Sequence, residues 1–298
     1  MDTKKDYALI GCPLGHSLSP VIHSELFKLS GIKASYNLIE IEPESLGKSA
    51  DKLKALGGFN VTIPHKTNII PFLDELSKKA QLFGAVNTVK VENGKMTGYN
   101  TDCIGFLRAL EGADIELKGR VLICGCGGVS RMFAFESALA DCDITFAVRE
   151  GSREKCENLC SELEEKLGKK SSIVSLDNAG EGYDLVINGT PVGMYPKVDN
   201  CPLKENTIIT SKAVFDSIYN PDETVLLKTA REAGIKYQNG LSMLVWQAAA
   251  AEEIWNGIKF GEEEIDTIID KLRITSDRLS SQVQHLNKNS ERTSLGVL

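Results

Sequence analysis

The chain has no excess of basic residues. Its 34 Lys and Arg stand against 41 Asp and Glu, a formal net charge of −7. That balance argues against a general nucleic-acid binder and against an anionic membrane surface as partner. No apolar run approaches a membrane span. The opening stretch MDTKKDYALIGCP lacks a signal-peptide core. The eight cysteines are scattered without the CxxC spacing of a zinc or redox site. They read as reduced thiols, which implies a cytoplasmic protein. The four histidines do not cluster with acids, so no metal site is expected, and no internal repeat is found.

What is present is ordinary for a globular protein. The 298 residues, 42% apolar and 25% charged, suffice for one large domain or two ordinary ones. In the first hundred residues, strand patterns at 7–13, 34–42 and 58–64 alternate with helix patterns at 19–31, 44–57 and 71–83. The helix at 19–31 starts with Ser19 as N-cap and Pro20 behind it, and Gly31 closes it. Two further strand patterns, 85–92 and 95–100, are joined by Asn93-Gly94, a strong hairpin signal.

A second alternation starts at RVLICGCGG, 120–128. Strands at 143–148, 171–176, 183–189 and 212–216 follow, with helices at 130–142, 152–168 and 222–234. Such alternation implies a parallel sheet with helices on both faces. The helix at 241–257 is too apolar to stand free. After about residue 275 the composition turns polar, and a disordered tail is expected. The reading is α/β in two domains: a substrate-binding domain of 1–103 plus 241–275, a Rossmann-type nucleotide domain of 104–240, and a tail at 276–298.

Gly125-Cys126-Gly127-Gly128-Val129-Ser130 approximates the dinucleotide fingerprint and lies between a strand and a helix. Glycines there permit a tight turn and close approach to a pyrophosphate, which the helix N-terminus then receives. The next strand ends at Arg149-Glu150, with Arg153 nearby. Arginine at this end suits a 2′-phosphate and NADP; an acid suits the free 2′-hydroxyl of NAD.

Eight short motifs occur in one order: GHSLSPVIH (15–23), GFNVTIPHK (58–66), GAVNTV (84–89), GYNTDCIGF (98–106), GCGGVSR (125–131), NGTPVGM (188–194), DSIYNP (216–221) and NGLSMLVWQAA (239–249). Together, over about residues 7–260, they resemble the shikimate dehydrogenase family. The resemblance implies reversible, nicotinamide-dependent reduction of the 3-keto group of 3-dehydroshikimate to shikimate, a step of aromatic amino-acid biosynthesis. It implies a two-domain fold with a cleft; a monomer or homodimer is expected. It places Ser17, Ser19, Asn60, Thr62, Lys66, Asn87, Asp102, Tyr219 and Gln247 at the substrate. It places Gly125, Gly127, Gly128, Val129, Ser130, Arg149, Glu150, Arg153, Thr190 and Gly240 at the cofactor. These residue types suit the ligand: hydroxyls can bind a carboxylate, and Asn, Gln and Asp can bind ring hydroxyls.

Lys66 and Asp102 are the expected catalytic residues. A ketone that accepts hydride becomes negatively charged at oxygen, and an ammonium can stabilise that charge and supply the proton. Asp102 would orient Lys66 and bind the hydroxyl. Burial would lower the lysine pKa and Asp102 would raise it. NADP-using relatives carry Asn-Arg-Thr where this chain has Val148-Arg149-Glu150. The expectation is NADP, with residual activity on NAD. Glu150 could instead pair with Arg153. The competing readings are an NAD-using quinate/shikimate dehydrogenase and a shikimate-sensing module without catalysis. The serine pair of HSLSP resembles the shikimate-selective form.

Overall fold

A computed structural model describes residues 5–15 and 17–273. The expected disordered tail at 276–298 lies outside the described residues.

The first half builds β1 (Lys5–Gly11), α1 (Ser19–Ser30), β2 (Ala34–Glu40), α2 (Leu46–Leu53), β3 (Gly58–Val61), α3 (His65–Asn68), β4 (Glu75–Leu76), α4 (Lys78–Phe83), β5 (Thr88–Glu92), β6 (Lys95–Tyr99) and α5 (Asp102–Gly112). Its six strands form one mixed sheet in the order β2-β1-β3-β5-β6-β4. β1 is parallel to β2 and β3, whereas β5 is antiparallel to β3 and β6. The β5–β6 turn is Asn93-Gly94, with φ 54° and 76°, the positive values a two-residue hairpin turn requires.

The second half builds β7 (Arg120–Cys124), α6 (Gly128–Leu139), β8 (Asp143–Val148), α7 (Arg153–Leu167), β9 (Ser171–Ser175), β10 (Leu185–Asn188), α8 (Glu205–Ile209), β11 (Ala213–Asp216), α9 (Val225–Glu232) and β12 (Lys236–Gln238). All six strands are parallel, in the order β12-β11-β10-β7-β8-β9. The inner strands are buried almost throughout, as in RVLIC and LVIN, because helices cover both faces of such a sheet. The strand order reverses between β7 and β10, the place where doubly wound sheets bind ligands.

Two helices then return to the first sheet: α10 (Gly240–Asn256) and α11 at 262–273. In α10, Ala248 through Ala251 are all buried. Trp255 stacks on Tyr7 of β1 at 4.6 Å and donates its indole N–H to the Val89 carbonyl of β5 at 2.9 Å. Arg108 of α5 pairs with Glu253 at 3.0 Å and lies over Trp246. Burial of these apolar faces, at roughly 25 cal/mol per Å², explains why so apolar a helix is not left free.

Several local expectations are corrected. No helix spans 71–83. Pro71 sits in a single 3-10 turn, Leu73 is extended, and Asp74 pins the chain to β6. Its carboxylate accepts from Met96 N–H at 2.7 Å and its N–H donates to the Met96 carbonyl at 2.9 Å. β4 and β12, of two and three residues, were not expected. The helix of 44–57 shortens to 46–53 behind a 3-10 turn, and that of 222–234 to 225–232. Ser19 does not cap α1: Ser17 Oγ accepts the Ser19 N–H at 3.2 Å instead.

Candidate active site

β3 delivers the first group. Its chain leaves the sheet after Val61, turns at Pro64, and starts the short α3. His65 there is fully buried and donates from Nε2 to the Ile41 carbonyl at 2.6 Å. With its neighbour anchored inward, Lys66 points the other way. Its side chain is 33% exposed.

Lys66 Nζ donates to Asp102 Oδ2 at 2.6 Å. Asp102 opens α5, where the helix N-terminus favours a carboxylate. Its other oxygen accepts from Asn87 Nδ2 at 2.7 Å. Asn87 is buried and its amide orientation is fixed, because Oδ1 accepts the Thr101 N–H at 2.7 Å. Asn87 Nδ2 also faces Gln247 Oε1 at 3.4 Å, and Gln247 Nε2 donates to the Leu244 carbonyl at 2.9 Å. Four side chains from α3, β5's leading loop, α5 and α10 thus meet in one polar ring, buried at Asn87 and part-exposed at Lys66 and Asp102.

Asn60 supports this ring from beneath. Both hydrogens of its amide are engaged, one by the Asn87 carbonyl at 3.2 Å and one by Thr88 Oγ1 at 3.0 Å. Its oxygen accepts from Tyr36 OH at 2.7 Å. Asn60 therefore has no free donor for a substrate; its type suggested one. Ser19 lies against the same Tyr36 hydroxyl. Tyr36 links the serine pair to the ring, and the sequence reading passed over it, since a lone tyrosine in an edge strand gives no signal. Thr62 is half-buried one step beyond β3 and donates its N–H to the Ile10 carbonyl. Tyr219 is not brought to the ring by any hydrogen bond among the described residues; it follows β11 and is 37% exposed.

The glycine loop follows β7 at the switch point. Gly125 has φ +86°, and a Cβ there would stand 2.8 Å from Thr190 Cγ2. The loops after β7 and β10 are therefore in contact. A Cβ at Gly127 or Gly128 would meet nothing within 4 Å. Those two positions leave open space before the N-terminal N–H groups of α6, a cradle suited to a pyrophosphate. The residues present fit a dinucleotide.

Val129 is half-exposed behind the cradle. Ser130 turns inward, where its hydroxyl donates to the carbonyls of Gly189 at 3.2 Å and Cys124 at 3.4 Å. Its side chain fastens α6 to β10 and offers nothing to a ligand. Thr190 Oγ1 donates to Asn188 Oδ1 at 2.7 Å. Asn188 Nδ2 donates to Asp216 at 3.0 Å, and Thr224 Oγ1 to the same carboxylate at 2.7 Å. Burial pushes the Asp216 carboxyl up to about 6, against those hydrogen bonds, which lower it. Gly240 must be glycine for a protein reason: any Cβ would strike the Ser217 carbonyl.

At the end of β8, Arg149 and Glu150 are both exposed. Arg153 pairs with Glu157 at 3.1 Å, so the considered Glu150–Arg153 pair is absent among the described residues. Arg149 has no ion pair among them. None of the eight cysteines is in a disulfide. Among the described residues no group of three or more His, Cys, Asp and Glu could hold a metal ion. No helix among them is long and apolar enough to cross a membrane.

Comparison with known proteins gives consistent matches. A family model described as the shikimate dehydrogenase substrate binding domain matches residues 9–89. A second, the shikimate 5'-dehydrogenase C-terminal domain, matches residues 240–265. The shikimate dehydrogenase (NADP(+)) of Methanocaldococcus jannaschii is 46% identical over 277 residues, 90% of this chain and 97% of that protein. Among solved structures, shikimate 5-dehydrogenase of Thermus thermophilus, in complex with NADP(H) and shikimate, has a TM-score of 0.80. It is 32% identical, and the match covers 90% of this chain and 99% of that one. The Listeria monocytogenes enzyme, in complex with shikimate and NAD, has a TM-score of 0.83 at 32% identity, covering 90% and 97%.

Proposed function

The chain belongs to the shikimate dehydrogenase family, and on that premise we propose that it interconverts 3-dehydroshikimate and shikimate, as an NADP-dependent oxidoreductase of the shikimate pathway. The observation that carries the reading is the ring of Lys66, Asp102, Asn87 and Gln247.

NADP, when bound, supplies or accepts the hydride; Gly125, Gly127, Gly128 and the N-terminus of α6 would hold its pyrophosphate, and Arg149 its 2′-phosphate. The remaining chemistry belongs to side chains. Lys66 Nζ carries three hydrogens and one is engaged by Asp102, so donors remain for a substrate oxygen. As charge develops on that oxygen, the ammonium stabilises it and gives up a proton. Asp102 keeps the ammonium aimed, and Asn87 keeps Asp102 from turning. Gln247 has the polar atoms to position a ring hydroxyl, whereas the amide hydrogens of Asn87 are engaged by Asp102 and Thr101 and must be shared for it to do the same. Ser17 and Ser19, at the start of α1, are the donors for the carboxylate. Tyr219, Val129, Glu150, Arg153, Thr190 and Gly240 enter as neighbours of these sites.

The same proposal divides the chain into 1–103 with 241–275 and 104–240, following its two sheets. It takes the protein as cytoplasmic, on its thiols, as free of nucleic acid, on its charge, and as a monomer or homodimer. The test is spectrophotometric: purified protein with shikimate or quinate, each with NADP+ or NAD+, followed by absorbance of the reduced cofactor. Turnover fastest with shikimate and NADP+ is expected. No turnover with any pair would favour a sensing module, and equal kcat/KM for quinate would overturn the substrate assignment.

A further inference from the structure

Two cations of the nucleotide-binding half reach the carbonyls that end α4. Arg131 Nε donates to the Phe83 carbonyl at 2.6 Å, and Lys166 Nζ to that of Leu82 at 3.2 Å. The last carbonyls of a helix have no partner within it, and its C-terminus favours positive charge. The guanidinium is itself held. Its other nitrogens bind Glu162 of α7, its Cζ lies 4.8 Å from the Phe135 ring centroid, and Lys166 meets the same Glu162 at 2.7 Å. Arg131 above all lowers the Glu162 carboxyl to about 2. Alongside, Lys79 of α4 donates to both oxygens of the buried Glu136 at 2.6 and 2.8 Å.

The segment after α4 gives this clamp its meaning. Gly84 turns the chain at φ +63°, and Asn87 follows three residues later. Between them, the Val86 N–H donates to the Lys66 carbonyl at 2.7 Å. The Asn100 side chain donates to the Ala85 carbonyl at 3.1 Å. The end of α4, Asn87 and the main chain of Lys66 are therefore one connected piece. Arg131, one turn into α6, has its own N–H on the Gly127 carbonyl at 2.9 Å. The side chain grips one half of the molecule while its backbone, in α6, is hydrogen-bonded to the glycine loop of the other.

We propose that Arg131 is a positioning residue for the reaction: by fixing the carbonyl end of α4 it holds residues 84–87, and with them Asn87 and the main chain of Lys66, in register with the helix that follows the glycine loop. This inference rests on the assignment of Lys66, Asp102 and Asn87 to the active site. Lysine could not replace Arg131 fully, because one ammonium cannot grip a carbonyl and hold a carboxylate through a planar fork at once.

The test compares wild type with Arg131→Met and Arg131→Lys. It reads steady-state kinetics, NADP+ affinity by fluorescence titration, and amide hydrogen exchange over residues 80–88. In Arg131→Met the Val86 and Asn87 amides should exchange about tenfold faster, as a locally freed segment does. Displaced catalytic groups should lower kcat by about tenfold or more. The Kd for NADP+ should stay within about threefold, and Arg131→Lys should recover part of the loss. Unchanged exchange over 84–87 overturns the proposal. So does faster exchange with unaltered kcat and KM, or a loss confined to NADP+ affinity. If Arg131→Met does not fold, Glu162→Gln, which loosens the guanidinium in place, must show the same pattern at smaller amplitude; its absence is equally fatal. A wild type inactive on shikimate would refute the functional reading, while exchange would still report on the clamp.

Discussion

Lys66 Nζ and Asp102 Oδ2 stand 2.6 Å apart although 36 residues separate them in the chain. The carboxylate cannot rotate away, because Asn87 holds its other oxygen. The ammonium is thus aimed. Lys66→Ala should fold normally, since it removes a part-exposed side chain. Its kcat should fall by roughly 10²- to 10⁴-fold, with a much smaller change in KM for shikimate, as expected when a group acts on the transition state. Steady-state kinetics at saturating NADP+ checks this. Near-normal turnover would remove Lys66 from the chemistry.

The cofactor's 2′ end should be decided by Arg149 and Glu150. Arg149 has no ion pair among the described residues, and Arg153 is engaged by Glu157. A charge contact in such partly exposed surroundings is worth on the order of 1 kcal/mol. Arg149→Ala should therefore raise KM for NADP+ by about fivefold and leave that for NAD+ nearly unchanged. Glu150→Thr should shift preference further toward NADP+, by removing repulsion of a phosphate. Comparing kcat/KM for both cofactors on the three proteins decides it. A wild type favouring NAD+ and indifferent to loss of Arg149 would put Glu150 on the ribose.

Asp216 should make folding stability depend on pH. Its folded pKa, about 6, lies above the ordinary carboxylate value near 3.9. The folded state therefore binds the proton more tightly than the unfolded chain. That contribution is fully present below about pH 4 and is lost as pH rises through 6. The gap between the two values sets its size at roughly 3 kcal/mol. Urea denaturation of wild type and Asp216→Asn between pH 4 and 7 reads it as a difference. Wild type should lose stability relative to the variant across that range; parallel curves would show that the carboxylate is charged at no cost in the fold.

Sequence pattern made the regular parts of the molecule legible. RVLIC before a glycine cluster, and Asn93-Gly94 between alternating runs, carry their structure locally, in burial and in allowed φ. Asn87, Asp102 and Gln247 became legible only together, through eight ordered motifs, because Asn87 alone reads as a turn residue, Asp102 alone as part of a helix cap, and Gln247 alone as one more residue of a helix. What stayed hidden depends on distant partners. Asp74 breaks the expected helix only because Met96 offers it a strand edge. Tyr36 matters only because Asn60 and Ser19 arrive beside its hydroxyl. The donors of Asn60 are used up by Thr88 and the Asn87 carbonyl, which residue type cannot reveal. β12 is three residues long and needs β11 to exist at all.

The return of α10 to the first sheet sets an order of assembly. During synthesis, Tyr7 and Val89 emerge long before Trp255, which stacks on one and bonds the other. The first sheet must therefore wait, with an apolar face uncovered, while the whole nucleotide-binding half is made. That half has a sheet with all its strands between residues 120 and 238, so it can close while the earlier one is still incomplete. A nascent chain that halts near residue 239 would combine a finished second sheet with an unfinished first. Such a chain exposes the surfaces that promote aggregation and chaperone capture.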